Sequence, residues 1–128
     1  AFTFDIDLPE ELEGCLIPKM ILQPLVENAV LHGLEGVERG MVEVRVREEA
    51  GMLRITVRDN GVGLPPELAV GRHRSEGPAG KHLGLYNVNT ILTKYYGESC
   101  GLFLENEPGG GAAVTAVLPV RWEEDERC

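Results

Sequence analysis

The sequence predicts an α/β two-layer sandwich, in which a mixed or antiparallel sheet carries its helices on one face. Two observations support this prediction. The segments with β-type alternation come in consecutive pairs joined by tight turns, and two helical segments separate those pairs. The order is strand, helix, two strands, long loop, helix, two strands. A chain of 128 residues fits one domain with one core, so residues 1–128 are expected to form a single unit.

The first half of the chain contains three predicted strands and one helix. Phe2–Asp7 alternates polar and apolar residues, as a half-buried strand does. Pro18 suits a first helical turn and Gly33 suits a helix end, so we expect a helix between them. Val42–Arg47 and Leu53–Arg58 are alternating, β-branched segments on either side of a short Glu-Glu-Ala-Gly turn, which is typical of a hairpin.

The second half begins with a long irregular segment. Leu64–Lys81 contains prolines and glycines but no sustained periodicity, and loops of this length in a domain are usually functional or mobile. Leu85–Tyr96 is predicted as a helix because its apolar residues recur at helical spacing, at Leu85, Val88, Leu92 and Tyr95. Gly101–Glu105 and Ala113–Val120 are the last two predicted strands, around a Pro-Gly-Gly-Gly turn.

The charge and hydropathy of the chain restrict its partners. A net charge of −9 argues against nucleic acid, whose phosphate backbone requires a basic surface. A small anion such as ATP is not excluded, because backbone amides and a metal ion can hold it. No apolar run approaches the roughly 18–20 residues of a membrane-spanning helix, and the N-terminus lacks the basic start of a secretory signal. We therefore expect a cytoplasmic domain.

An asparagine on the first helix stands out. The apolar stripe of that helix consists of Leu22, Leu25, Val26 and Ala29, and Asn28 lies at its border. A partly buried carboxamide left without a partner costs about 1–3 kcal/mol. It is therefore either a structural amide that caps a loop or an oxygen ligand for a hard cation. Pro24 removes a backbone donor inside this helix. His32 lies one turn after Asn28, where a packed or capping histidine is the more common case.

Two glycine-rich turns are candidates for ligand binding. Asp59–Gly63 follows a strand, and an acidic residue there can accept an amino proton from a base, although an ordinary turn has the same pattern. Gly80–Asn87 opens the second helix, whose N-terminal amides suit phosphate. It is not a Walker P-loop, because Lys81 is followed by His82 instead of serine or threonine. Lys81 is equally compatible with a solvated loop position.

The ordered set of motifs resembles the GHKL ATPases, the superfamily of gyrase, Hsp90, histidine kinases and MutL. Leu22–Ala29 resembles the N box, Asp59–Gly63 the first glycine box, His82–Val88 the second, and Gly109–Gly111 the third. The sequences Leu-Gln-Pro-Leu-Val-Glu-Asn-Ala and His-Leu-Gly-Leu-Tyr-Asn-Val are similar specifically to LytS/YehU-type sensor histidine kinases. The resemblance covers about Ile17–Pro119.

The resemblance implies a Bergerat fold, with a mixed sheet backed by helices, a flexible ATP lid at about residues 64–82, and Mg²⁺ and ATP as cofactors. It implies that Asn28 ligates Mg²⁺, that Asp59 accepts the adenine amino group, and that His32 lies beside adenine or ribose. Glycines permit close approach of the nucleotide, and amides at the start of the second helix contact phosphate. The implied ATP-binding residues are Asn28, His32, Asp59, Gly61, Gly63, Lys81, His82, Leu83, Gly84, Leu85 and Asn87.

Four positions depart from the family pattern, and one of them is His82, which replaces the middle glycine of the usual Gly-x-Gly-x-Gly. Leu31 stands where many relatives carry a lysine that assists the phosphates, so Lys81, Arg72 or Arg74 is expected to supply that charge. Ala112 replaces the usual threonine of the third glycine box. In gyrase-type relatives a glutamate that activates water stands where this chain has a proline, four residues before the asparagine. ATP hydrolysis is therefore expected to be slow, and phosphoryl transfer to a protein is the more natural reaction.

The implied function is donation of the γ-phosphoryl group to a histidine on a separate, upstream dimerisation domain. The chain's own histidines are not in such a helix motif, so no catalytic residue is assigned and the isolated domain is not expected to autophosphorylate. The implied partners are those upstream helices and a downstream response regulator, within a membrane-anchored homodimeric parent. A degenerate GHKL regulatory module without phosphotransfer and a GHKL anti-sigma serine kinase remain as alternatives.

Overall fold

The computed structural model describes residues 2–34, 36–69, 71–73 and 83–122. They form a six-stranded sheet in the order β1-β2-β3-β6-β5-β4. The strands are β1 (Phe2–Asp7), β2 (Gly40–Glu49), β3 (Met52–Asp59), β4 (Gly71–Arg72), β5 (Gly101–Asn106) and β6 (Ala112–Pro119). The helices are α1 (Lys19–Asn28), α2 (Leu83–Tyr96), a 3₁₀ turn (Glu10–Leu12) and a π-helical turn (Ala29–Gly33). β1 is parallel to β2 and the other neighbours are antiparallel, which confirms the predicted mixed sheet.

The hairpin of β2 and β3 is longer than its predicted β-branched centre. Its turn residues, Ala50 and Gly51, have φ of 53° and 79°, and positive φ at both central positions matches the right-handed twist of a two-residue hairpin. Along both strands one face is buried and the other faces solvent, as the alternation of the sequence requires. The buried face consists of Val42, Val44, Val46, Leu53, Ile55 and Val57.

The helices cover this apolar face. The four residues of the apolar stripe predicted on the first helix pack against the core as expected, but two details of the helix faces differ from prediction. On α1 the buried positions are Ile21, Leu25 and Asn28, whereas Leu22 and Val26 are only half-buried. The asparagine therefore belongs to the buried face itself. On α2 the apolar residues Leu85, Val88 and Leu92 are buried as predicted, but Tyr95 is 78% exposed. Within the described ranges, neither helix has the length and apolar content that a membrane span requires.

The segment predicted as one long loop contains a short strand. Gly71 and Arg72 form β4, which pairs with Leu104 and Phe103 of β5 at the edge of the sheet. The Arg72 guanidinium donates hydrogen bonds to the carbonyl oxygens of Glu98 and Cys100 and lies 5.7 Å from the centre of the Phe103 ring. These contacts attach the segment to β5 across a large sequence separation, which periodicity does not reveal. The rest of the segment, residues 74–82, lies outside the described residues.

Candidate functional site

Asp59, the last residue of β3, is a buried carboxylate with one oxygen held and one left available. The side chain is 8% exposed, and its Oδ1 accepts hydrogen bonds from the backbone N–H groups of Gly61 (2.8 Å) and Ala112 (3.4 Å). Oδ2 has no hydrogen-bond partner in the described part of the chain. Burial raises the pKa of Asp59, and the two backbone hydrogen bonds act in the opposite direction. The two backbone hydrogen bonds therefore fix the orientation of the Asp59 carboxylate, and Oδ2 is available as a hydrogen-bond acceptor.

Glycine is required where the chain returns towards Asp59 before β6. A Cβ atom on Gly111 would lie 1.9 Å from the Asp59 carbonyl oxygen and 2.9 Å from Asn60 Cα, far inside contact distance. Gly111 also has φ of 90°, which side chains disfavour. The third glycine motif of the sequence thus packs directly on the backbone of the Asp59 turn, and the structure brings the first and third glycine motifs together.

Asn60 and Asn106 fix the turn that follows Asp59, and sequence reasoning assigned neither of them a role. Asn60 Oδ1 accepts the N–H of Met41 at 2.7 Å, and Asn60 Nδ2 donates to the Arg39 carbonyl at 3.0 Å. Asn106 hydrogen-bonds to the backbone of Leu64. An Asn-Gly turn was visible in the sequence. The contact between positions 64 and 106 had no local signal, because the two residues are 42 positions apart.

Asn28 occupies the junction between α1 and the π-helical turn. It is 9% exposed, and its carboxamide has no hydrogen-bond partner among the residues that the structure describes. Directly after it the hydrogen-bond pattern changes, because the Leu34 N–H reaches back five residues to the Ala29 carbonyl. π-helical turns are rare and occur frequently at functional sites. The turn packs against β3, the strand that ends at Asp59.

The start of α2 lies against α1 near Asn28. A Cβ on Gly84 would be 4.0 Å from Pro24 Cβ, so the first turn of α2 contacts α1 one helical turn before Asn28. That distance is an ordinary contact, so packing alone does not require glycine at position 84. The first amides of a helix lack intrahelical acceptors. Leu85 is fully buried, whereas Gly84 and Asn87 are exposed.

The structure describes no side chain at five of the predicted positions. Lys81 and His82 lie outside the described residues, as does Arg74. For His32 and Leu83 the backbone is described, within the π-helical turn and at the start of α2, but the side chains are not.

The structure directs Arg72 away from the start of α2. Its guanidinium binds the carbonyls of Glu98 and Cys100, just beyond the other end of that helix, so the expectation that it supplies charge to phosphate was wrong for this arrangement. At about 1.5 Å per residue, the two ends of a helix the length of α2 lie roughly 20 Å apart. Leu31, at the position of the missing lysine, is 64% exposed.

Two cavities open on the described surface, and one of them borders the Asp59 turn. One, of about 460 Å³, is on the helix-free face of the sheet, and Asp59 and Asn60 form part of its rim. Its remaining lining includes Glu43, Arg45, Arg58 and Glu107. The other, of about 590 Å³, lies between the start of α1 and the end of α2 and is lined mainly by apolar residues such as Met20, Ile91 and Tyr95. Neither contains Asn28 or the start of α2.

Fold and site together define an α/β sandwich in which glycine-rich turns meet at a buried carboxylate. Residues 16–121 match the family model described as histidine kinase-, DNA gyrase B- and HSP90-like ATPase. The chain belongs to this family. Membership is consistent with ATP as the ligand and with a place in two-component signalling.

The relatives that match most of the chain are sensor kinases. The chain is 35% identical to the sensor histidine kinase YesM of Bacillus subtilis (strain 168) over 123 residues, which are 95% of this chain and 20% of YesM. It is 40% identical to the sensor histidine kinase YpdA of Escherichia coli (strain K12) over 109 residues, 84% of this chain and 19% of YpdA. The sensor protein LytS of Bacillus anthracis is 34% identical over 94% of this chain and 21% of its own length. The chain thus spans about a fifth of these curated relatives.

Solved structures share the fold. The mycobacterial sensor histidine kinase MprB superposes with a TM-score of 0.64 at 22% identity, covering 94% of this chain and 83% of that one. The nucleotide-free catalytic domain of the histidine kinase ThkA gives 0.62 at 22% identity, covering 92% and 77%. ThkA has also been solved in complex with the response regulator protein TrrA, with a TM-score of 0.61 at 20% identity over 92% of this chain and 33% of that one. Because the sequence identities are only 20–22%, these matches show that the fold is shared and nothing more.

Proposed function

We propose that this domain binds Mg·ATP and donates the γ-phosphoryl group to a histidine on a separate dimerisation domain of a sensor histidine kinase. The observation that carries the proposal is the arrangement of Asp59. A buried carboxylate has one oxygen held by two backbone amides while the other lacks a partner in the described chain. Such an oxygen is an acceptor of fixed direction, and the exocyclic amino group of adenine is a matching donor.

The residues around Asp59 support an aromatic base as its partner. Gly61, whose N–H donates to the carboxylate, presents backbone without a side chain there, so a flat ring can approach closely. The side-chain space of Gly63 is instead occupied by Asn106. Ala112 contributes its backbone N–H to Asp59, and this contact does not need the threonine hydroxyl found in relatives. The absent hydroxyl therefore gives little support to a degenerate module that has lost nucleotide binding.

Asn28 is the candidate ligand for Mg²⁺. The Asn28 carboxamide is 9% exposed and has no hydrogen-bond partner in the described chain, so its oxygen is available, and an amide oxygen is a ligand type that hard cations prefer. Within the described residues, no three or more His, Cys, Asp or Glu side chains are grouped so as to hold a metal. Most ligands of the ion would therefore be phosphate oxygens and water, as is usual for Mg²⁺. When bound, the ion neutralises charge on the phosphates.

The start of α2 is the candidate phosphate site. The amides of Leu83, Gly84 and Leu85 lie in the first helical turn, where N–H groups are without intrahelical acceptors and the helix dipole favours anions. Contact between Gly84 and α1 puts this turn near the helix that carries Asn28. Lys81 and His82, which precede the helix, remain proposed contributors on the basis of the family resemblance.

The proposed reaction is transfer to a protein acceptor. A ring nitrogen of the acceptor histidine forms a bond to the γ-phosphorus while the bond to the β-phosphate oxygen breaks, and ADP leaves. Pro24 stands where gyrase-type relatives carry a water-activating glutamate, so positioning and electrostatics carry the reaction. We propose the upstream dimerisation helices and a response regulator as partners, since the curated relatives are sensor kinases and ThkA has been solved with a response regulator.

Isothermal titration of the domain with ATP, in the presence and absence of Mg²⁺, tests this proposal. We expect Asn28→Ala and Asp59→Asn each to weaken binding roughly tenfold or more, because lost hydrogen bonds to charged groups cost about 1.5–3 kcal/mol. In Asp59→Asn the new NH₂ group would also face the adenine NH₂. Thr56→Val, which removes a hydrogen bond to Thr115 in the same sheet, is the control and should bind normally. Unchanged affinity in both site variants would contradict the assignment.

A further inference from the structure

Asn106 makes an unusual double contact with the backbone at the start of the 64–82 segment. Asn106 is the last residue of β5 and is exposed. Its Oδ1 accepts the N–H of Leu64 at 2.7 Å, and its Nδ2 donates to the carbonyl of Leu64 at 3.0 Å. One side chain thus satisfies both backbone groups of Leu64, whose residue is only 6% exposed. We call this pair of hydrogen bonds the Asn106 clamp.

The clamp also bears directly on Gly63. Gly63 has φ of 83°, and a Cβ there would lie 2.9 Å from Asn106 Oδ1 and 3.3 Å from Asn106 Cγ. The carboxamide of Asn106 therefore lies directly against Gly63, in the space that a side chain there would enter. Position 63 needs glycine partly because this amide occupies the space of a side chain.

The hairpin that carries Asn106 also holds Asp59. Asn106 pairs with Ala112 in the β5–β6 register, and the Ala112 N–H donates to Asp59 Oδ1. Gly111, the residue before Ala112, lies against the Asp59 carbonyl. The end of the β5–β6 hairpin therefore contacts both Asp59 and Leu64, the first and last residues of the turn. Ordering of that turn is coupled to Asn106 through direct contacts.

We propose that Asn106 is a positioning residue for nucleotide binding: the clamp holds Gly63 and Leu64 in the conformation that leaves the Asp59 acceptor open to the base. This inference rests on the proposed function. A free chain at Gly63 has many accessible conformations, and only the binding-competent fraction contributes to the observed affinity. Removing the clamp lowers that fraction and raises the apparent Kd. A purely structural role would lower the stability of the domain without changing the affinity of the folded protein.

The test measures the Kd for Mg·ATP and the hydrogen exchange of the Leu64 amide in three variants. Asn106→Ala removes both hydrogen bonds. Asn106→Asp keeps the shape and the acceptor for the Leu64 N–H but replaces the donor to the Leu64 carbonyl with a second acceptor. Thr56→Val is the matched control, because it removes a 2.9 Å hydrogen bond between β3 and β6, the strands that bear Asp59 and Ala112, without touching the clamp.

We expect Asn106→Ala to raise the Kd roughly five- to tenfold, with faster exchange at Leu64, because two hydrogen bonds are lost. Asn106→Asp should raise the Kd at neutral pH although it is isosteric, and it carries the test if Asn106→Ala does not fold. Thr56→Val should leave the Kd within about twofold. Unchanged affinity in both folded Asn106 variants overturns this inference alone. Absence of Mg·ATP binding in the unsubstituted domain overturns the proposed function and this inference with it.

Discussion

At the scale of single residues, two opposing effects act on the ionised Asp59 carboxylate: burial destabilises it and backbone hydrogen bonds stabilise it. A buried ionised carboxylate is costly unless it is hydrogen-bonded, and the amides of Gly61 and Ala112 offset part of that cost on one oxygen. The other oxygen has no partner in the described chain, and burial still raises the pKa of the group. Such an arrangement is unfavourable for the free domain and favourable for a domain that binds an amino group there.

Replacing this carboxylate should therefore stabilise the free domain. The pKa of Asp59 is raised from an ordinary value of 3.8, so the ionised form lowers stability at pH values above the folded-state pKa. We expect Asp59→Asn to unfold at a higher temperature than the unsubstituted domain at pH 7. The two should converge as the pH falls through the folded-state pKa towards 3.8, since both then carry a neutral group. Thermal unfolding across this pH range, without nucleotide, measures the difference.

An exposed carboxylate provides the control for this measurement. Glu49 is exposed at the end of the β2–β3 hairpin opposite to Asp59, and Glu49→Gln changes the net charge by the same amount. This substitution should leave the difference in unfolding temperature between pH 7 and acidic pH as it is in the unsubstituted domain. A stability gain at pH 7 of equal size in both variants would attribute the effect to net charge and not to burial at Asp59.

At the scale of elements, the short strand β4 fixes part of a segment that periodicity assigns to a loop. Arg72 connects three features: the backbone of β5, the ring of Phe103 and the carbonyls that follow α2. Basic groups near a helix C-terminus are stabilising because they neutralise unpaired carbonyl oxygens and the negative end of the dipole. Arg72 makes these contacts because β4 pairs with β5 at the edge of the sheet.

Substitution of Arg72 should affect stability and spare nucleotide binding. We expect Arg72→Ala to lower the free energy of unfolding by about 1–2 kcal/mol, because hydrogen bonds from a charged group are lost at a partly exposed site. Arg72→Lys keeps the charge but lacks the fork that reaches both the Glu98 and Cys100 carbonyls, so it should be similarly destabilised. Chemical denaturation together with ATP titration separates the two roles. A large loss of ATP affinity in Arg72→Ala that Arg72→Lys restores would contradict this interpretation.

At the scale of the whole molecule, the proposed site is assembled from elements that are distant in the sequence. The end of α1, the turn after β3, the start of α2 and the turn before β6 each contribute one part. α1 packs on α2, the π-helical turn packs on β3, and the turn before β6 lies against Asp59. None of these parts supplies a phosphoacceptor in a helical dimerisation motif. The proposed chemistry is therefore complete only with a second domain.

Phosphoryl transfer in trans checks this requirement. We expect no labelled protein when the domain alone is incubated with γ-labelled Mg·ATP, and labelling of the acceptor helices when the dimerisation domain of the parent protein is added. Substitution of the acceptor histidine by alanine, or use of the Asp59→Asn domain, should abolish the label. The label should be lost in acid, since phosphohistidine is acid-labile. An acid-stable label on serine would instead favour the anti-sigma type of kinase, and nucleotide binding without any transfer would favour a regulatory module.

Much of the fold followed from local patterns. The boundaries of β1 agree with prediction, and the two hairpins differ from it only by one or two residues at most ends, because alternation and turn residues act over short distances. The family motifs were also recognisable in the sequence, because each motif is a contiguous run of residues. For these features no information from distant residues was needed.

The sequence by itself determined the family, the mixed two-layer fold and the turns on which the proposed site is built. Only the tertiary structure decided that Asn28 is part of the buried face, that Arg72 binds the carbonyls beyond α2, and that Asn106 holds Leu64. The physical reason is that burial and hydrogen-bond partners depend on which elements pack together. A contact between residues 42 positions apart leaves no periodic trace in either segment, so it becomes visible only once the sheet has formed.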